Sequence, residues 1–484
     1  MNHNYKKYIT GVLLCLLLTL AGSTSAYAIN TVPTEDLHEQ AEARKLMTVE
    51  TNELSGWPDG PMIGAESAIL MDVDTGIVLY EKNVHEQLYP ASTTKLLTAL
   101  LVIENSTMDE TVTFSHDAIF NIERDSSHIG IDVGEQLTIE QCLYGLLLGS
   151  ANEVAYALAE HVGGDLDSFI DMMNARAAQL GCTDTHFANA NGLPQVDHYT
   201  SAYDLALIAR ECYKNETLSK ISGTAHYTIP PTNIQTEERP LDNHHQMLTG
   251  FQYAYDGIVG GKTGYTEEAR QTLVTCAQRN GLRLVCVIMK EESPNQFLDT
   301  AELFDYGFNN FQKLNIAANE TEYTLNSSTF FNTNLDIIGS SKPILTINNA
   351  GDVIIPKTAV FSDTDVEIAY SDGSTDSIAA LTYTIGGHYV GSATIDYADS
   401  NANSFEFANI ITESSAVTPK TVEPEHKVVF VNIKTVILIV IGIIGVLFVV
   451  FFLKAFLKKL WHSKRRRRRL NRKRYRKRNK NIYF

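Results

Sequence analysis

The chain has 484 residues, 44% of them hydrophobic, and a formal net charge of −18. That length accommodates two or three domains with real cores, and so acidic a body excludes nucleic acid as the partner of its main domain. The average hides an asymmetry: residues 454–484 hold 16 of the 39 Lys and Arg and no acid, and residues 1–28 hold two lysines and no acid.

Residues 1–28 read as a secretory signal. Lys6 and Lys7 precede an apolar run over 9–21, and Ala26 and Ala28 supply the small residues needed at −3 and −1. Residues 67–72 and 77–80 are strand-like around Asp74-Thr75-Gly76, a hairpin signal. A helical stretch follows at 94–103. Residues 137–161 carry helical periodicity with one break near Gly149. Two apolar strands, 271–278 and 282–289, flank Asn280-Gly281, a strong hairpin signal. Strands at both ends with helices between predict an α+β domain over 57–312.

Residues 315–400 are rich in Thr, Ile, Val and Tyr, with turn signals at Asn349-Ala-Gly-Asp352 and Ser371-Asp-Gly-Ser374. They predict a small all-β module, and the polar stretch 401–434 reads as a linker. Residues 435–453 carry no charge. At about 1.5 Å per residue that run matches a hydrocarbon core of ~30 Å. The basic residues after it place 454–484 in the cytoplasm, against anionic lipid, and 29–434 outside. Cys142, Cys276 and Cys286 sit in apolar runs and read as small core residues, while Cys182 and Cys212 remain open to pairing. The 14 histidines show no ligand spacing, so neither metal nor cofactor is expected.

Three short motifs carry chemistry. In Ser92-Thr-Thr-Lys95, i and i+3 share a helix face, so a hydroxyl can meet an amine. Serine becomes a nucleophile when a base takes its proton, and lysine can be that base when burial or a nearby cation lowers its pKa. Ser150-Ala-Asn152 lies at the break near Gly149 and can present a hydroxyl and an amide to a cleft. Alone it reads as a helix cap. Lys262-Thr263-Gly264 follows two further glycines. There the missing side chains let a ligand approach an edge strand, with a charge and a hydroxyl offered to an anion. Alone it reads as a turn into a strand.

Together and in this order, the motifs resemble those of the penicillin-binding serine peptidases. The flanking residues are most similar to D-alanyl-D-alanine carboxypeptidases of the penicillin-binding-protein-5 type: Asp72-Val-Asp-Thr-Gly76, Pro90-Ala-Ser-Thr-Thr-Lys95, Phe187-Ala-Asn-Ala-Asn-Gly-Leu193, His198-Tyr-Thr-Ser-Ala202 and Gly261-Lys-Thr-Gly-Tyr-Thr266. The resemblance covers roughly 60–310. Glu153 stands where Asp is usual in the family, and Arg270 where Gly is usual.

The resemblance implies a β-lactamase/transpeptidase-like domain, an antiparallel sheet with helices, followed by a small β stalk. It implies Ser92 as nucleophile, Lys95 as base and Ser150 as proton relay. Asn152 would hold Lys95 and the substrate amide. Lys262 and Thr263 would bind the terminal carboxylate, with Gly264 leaving room. Backbone N–H groups of Ser92 and Tyr265 would form an oxyanion hole. Peptidoglycan stem peptides would be the substrate, with release of the terminal D-Ala, and β-lactam antibiotics would bind covalently. The alternatives on the same fold are a serine β-lactamase, a muropeptide endopeptidase or transpeptidase, and a penicillin-binding sensor signalling through the basic tail.

Overall fold

A five-stranded antiparallel sheet is the frame on which the rest of the chain is hung. Its strands are β1 (Ser67–Asp72), β2 (Val78–Lys82), β3 (Ile258–Thr266), β4 (Arg270–Arg279) and β5 (Leu282–Glu291), in the order β2-β1-β5-β4-β3. The computed structural model describes residues 34–397 apart from 124, 322, 324–344 and 372–376. The expected signal peptide, linker, membrane segment and basic tail (1–28, 401–434, 435–453, 454–484) lie outside the described residues. Among the described residues no helix is long and apolar enough to cross a membrane.

The sheet is buried on both faces, and the period of two divides its side chains. Ile69, Met71, Val285, Val287 and Met289 face one core, shared with the helices α1 (Lys95–Asn105), α2 (Ile139–Leu147), α3 (Asn152–Gly163), α4 (Leu166–Gln179) and α5 (Ala202–Lys214). Ala68, Leu70, Leu284, Cys286 and Ile288 face a second core, shared with α6 (Asn295–Asn310). This is why β5 reads as a continuous apolar run rather than an alternating one.

Both expected hairpins form. Asp72 Oδ1 accepts from Thr75 N at 2.8 Å and Thr75 Oγ1 at 2.7 Å, closing the β1–β2 turn. Asn280 and Gly281 both take positive φ, +53° and +81°, as a two-residue turn matched to strand twist demands. The helical stretch 137–161 divides into α2 and α3 because Ser150 adopts φ +55°, which no helix continues through. A capping box between Thr138 and Gln141 starts α2. Cys182 and Cys212 are both free, with their thiols directed at the carbonyls of Asp204 and Leu96, so they do not pair.

α6 runs directly into a second antiparallel sheet that begins at Phe311–Asn315, slightly before the β module expected from the sequence. Its other strands are Asp352–Pro356, His388–Tyr397, Ser377–Ile385 and Asp365–Tyr370, with Leu345–Ile347 paired to His388–Tyr397. Trp57 joins the two sheets. Its Nε1 donates to Leu79 O at 3.0 Å on β2, and its ring lies 4.9 Å from Phe311 and 4.8 Å from His388. His388 Nε2 in turn reaches Val78 O at 2.9 Å.

Trp57→Ala therefore opens a cavity in the second core, where the two sheets meet, and leaves the Leu79 carbonyl with only the longer bond from Tyr306 Oη at 3.3 Å. Urea unfolding should show a loss of about 3–5 kcal/mol. A loss below ~1 kcal/mol would show that Trp57 is not the joint between the sheets.

Candidate active site

The Ser92 site is assembled where the N-terminal turn of α1 meets the edge strand β3. Residues Ala91–Thr94 form a tight 3₁₀ turn that runs into α1, and this turn carries Ser92 to the end of the helix. Two bonds tie the turn down. Thr272 Oγ1 on β4 donates to Pro90 O at 2.9 Å, and Thr94 Oγ1 donates to Ala91 O at 2.9 Å. Gly264 lets β3 pass against the same backbone: a Cβ there would lie 2.9 Å from Ser92 N and 3.0 Å from Ala91 Cβ.

Lys95 is fully buried, one helical step from Ser92. Its Nζ lies 2.9 Å from Ser92 Oγ, 2.7 Å from Asn152 Oδ1 and 2.6 Å from Asn191 O. The last two atoms can only accept. A neutral amine has two N–H bonds and one lone pair. With the N–H bonds spent on Asn152 and Asn191, the lone pair is left facing the Ser92 hydroxyl. Burial pushes the Lys95 pKa well below its ordinary 10.5, and the positive charge of Lys262 lowers it further, against a smaller opposing pull from Glu153.

Ser150 and Lys262 form a second pair. Lys262 Nζ donates to Ser150 Oγ at 3.0 Å and to Thr263 O at 2.8 Å, and burial pushes its pKa down to about 7. The glycine before it has a steric cause: a Cβ on Gly261 would overlap the ring of buried His245. Thus Ser92, Lys95, Ser150, Asn152, Lys262, Thr263, Gly264 and Tyr265 come together around one cleft. Its cavity is about 790 Å³, and Ser92, Ser150, Asn152, Thr263, Gly264 and Tyr265 line it. Lys95 and Lys262 are buried behind Ser92 and Ser150, to which they are bonded, and are 0% and 1% exposed.

Other residues at the site lie in the segments 187–193 and 198–202 that carry the family resemblance, or beside a motif, and the sequence alone assigns them no role. The Asn191 carbonyl is a backbone atom, so no side-chain pattern reports it. Its loop is pressed onto the Ser92 turn at Gly192, which has φ +90° and no room for a Cβ against the Ala91 carbonyl. His198 accepts from Ala188 N at Nδ1, so its Nε2–H donates to Thr94 Oγ1 at 2.9 Å. Burial holds its pKa down at about 4, keeping the ring neutral. Glu153 Oε1 accepts from Ile129 N at 2.7 Å and so ties the loop before α2 to the helix that carries Asn152.

The part of the chain that carries this cleft is similar to known proteins. Residues 56–293 match the family described as D-alanyl-D-alanine carboxypeptidase. The D-alanyl-D-alanine carboxypeptidase DacF of Bacillus subtilis is 33% identical over 255 residues, 51% of this chain and 63% of its own length. DacB2 of Mycobacterium tuberculosis, also a D-alanyl-D-alanine carboxypeptidase, is 36% identical over 257 residues, 52% of this chain and 84% of its own length. The structure of penicillin binding protein 5 from Haemophilus influenzae superposes with a TM-score of 0.57 at 24% identity, over 71% of this chain and 98% of that one. That likeness establishes a shared fold, an antiparallel sheet with helices.

Because Lys262 is depressed to about 7 in the fold and titrates near 10.5 when unfolded, its burial penalty has a definite pH dependence. The penalty is absent above ~10.5, grows as pH falls and is complete below ~7. Wild type should therefore gain stability relative to Lys262→Met as pH rises from 6 to 10. Thermal unfolding of both proteins across that range checks the sign. A gap that stays constant with pH would mean that Lys262 is not held as a buried amine.

Proposed function

Because the chain belongs to the D-alanyl-D-alanine carboxypeptidase family of serine hydrolases, we propose that it removes the terminal D-Ala from peptidoglycan pentapeptides through an acyl-enzyme and binds penicillin covalently at the same serine. The observation that carries this reading is the Lys95 amine, buried and with both N–H bonds committed, facing the Ser92 hydroxyl at 2.9 Å.

The terminal carboxylate enters toward Lys262 and Thr263, which offer a cation and a hydroxyl at the edge strand. Ser92 Oγ attacks the carbonyl of the penultimate D-Ala as Lys95 takes the hydroxyl proton. The developing oxyanion is held by the backbone N–H groups of Ser92 and Tyr265, with Gly264 keeping β3 close to the Ser92 turn. Ser150, bonded to Lys262, relays the proton that Lys95 took on to the departing amine, so Lys95 is a neutral amine again as D-Ala leaves. Water then attacks the ester and gives its proton to Lys95, which returns it to Ser92 Oγ as the shortened peptide departs. The Asn152 side chain positions Lys95 and the substrate amide.

The same proposal includes an address. The signal-like residues 1–28, the uncharged run 435–453 and the basic residues 454–484 support a single-pass protein with the catalytic domain on the wall side of the membrane.

Purified protein given a pentapeptide ending in D-Ala-D-Ala should release D-Ala. Benzylpenicillin should leave one penicilloyl adduct, found on Ser92 by peptide mass spectrometry. An adduct on Ser150, or none, would refute the assignment. For the address, protease treatment of wall-stripped cells should release the catalytic domain and spare a C-terminal tag. Loss of the tag while cytoplasmic markers survive would reverse the orientation.

A further inference from the structure

Arg270 opens β4 immediately after the turn that leaves the cleft, in a backbone conformation that side chains other than glycine disfavour, φ +53°. Nothing in the turn requires an arginine there, since glycine would adopt this φ without strain. The side chain nonetheless occupies a defined place. Its Nε donates to Glu292 Oε1 at 2.9 Å and its Nη2 to Glu292 Oε2 at 2.6 Å, a two-pronged pair with side chains 20% and 6% exposed. The remaining edge of the guanidinium turns to Tyr265. Nη1 lies 3.4 Å from Tyr265 Oη, and the guanidinium carbon is 5.6 Å from the ring centroid.

Tyr265 is 52% exposed and lines the cleft, one residue beyond the glycine that touches the Ser92 turn. A half-exposed tyrosine on an edge strand has several rotamers open to it. A guanidinium fixed at one end by a buried carboxylate and set against the ring selects one of them. Arg270 is poorly placed to hold a substrate anion itself, because Glu292 already occupies both prongs of its fork. We propose that Arg270 is a positioning residue: anchored by Glu292, it fixes the Tyr265 ring as a wall of the cleft and thereby sets the affinity for the peptide substrate.

The inference rests on the reading of the cleft as the site of peptide cleavage, and its test separates the two. The full-length protein in detergent is assayed for D-Ala release from the pentapeptide, with kcat and KM resolved, beside its thermal midpoint. Arg270→Gly relieves the backbone strain but leaves the nearly buried Glu292 carboxylate without its partner, so the midpoint should fall, while KM increases about two- to fivefold and kcat changes little. Glu292→Gln, which frees the arginine from its anchor, should move KM in the same direction. Arg270→Gly made on top of Tyr265→Ala should add almost nothing, because the ring to be positioned is gone. An unchanged KM in Arg270→Gly overturns the proposal, as does an effect that persists in full without the tyrosine. If wild type releases no D-Ala and forms no penicilloyl adduct, the reading of the cleft fails instead.

Discussion

Lys95 sits wholly out of water, and its amine is held at three points by groups from three separate parts of the chain. Ser92 is on its own helix, Asn152 opens the helix α3, and Asn191 O belongs to a loop. An amine buried this way is poorly tolerated as an ammonium and competent as a base, so the constraint that destabilises the charge also creates the chemistry. Most local features near the cleft serve to bring those three groups to one atom. The left-handed Ser150 stops α2 so that Asn152 can begin a new helix. Gly192 allows the Asn191 loop to seat on the Ser92 turn. The neutral ring of His198 links that loop region to Thr94 through a chain of hydrogen bonds.

The second buried amine, Lys262, couples to the first through charge rather than contact. It is brought in by the sheet and not by the helices, because β3 is an edge strand with glycines on either side of the lysine. The two-faced burial of the sheet makes that edge a fixed reference. One core locks β1 and β5 to the helices carrying Ser92 and Lys95, and the other locks the same strands to α6 and the second sheet. A strand packed on one face only would leave the helix-to-edge distance softer than an acylation geometry tolerates.

Much of this was legible in the sequence, for reasons that differ by residue. Ser92, Lys95, Ser150, Asn152 and the Lys262–Tyr265 run are side-chain chemistry at short fixed spacings, and a sequence displays such patterns directly. The Asn280-Gly281 hairpin was legible because few residue pairs accept two positive φ values in succession. The carbonyl of Asn191 was not, since every residue has a carbonyl and only the fold chooses which one meets an amine. Trp57 was silent for a related reason: its partners Leu79, Phe311 and His388 lie up to hundreds of residues away. Arg270 was visible only as a departure from the related pattern, and its pairing with Glu292 and Tyr265 required the register of β3, β4 and β5.

The order of strands in the central sheet carries a cost in time. β1 is made early yet pairs with β5, with Ser67 opposite Met289, and β2 is capped by His388, 310 residues further on. A chain synthesised from its N-terminus must therefore hold β1 and β2 as an isolated, largely apolar hairpin until more than two hundred further residues are available. Hairpins alone are marginal in water, and exposed strand edges invite pairing with other chains. Contacts this distant in sequence slow folding and lengthen the interval in which aggregation competes. The Ser92 turn is thus made long before β3 arrives to form its other wall and Thr272 of β4 to tie it down, so the cleft waits on the last strands of the central sheet.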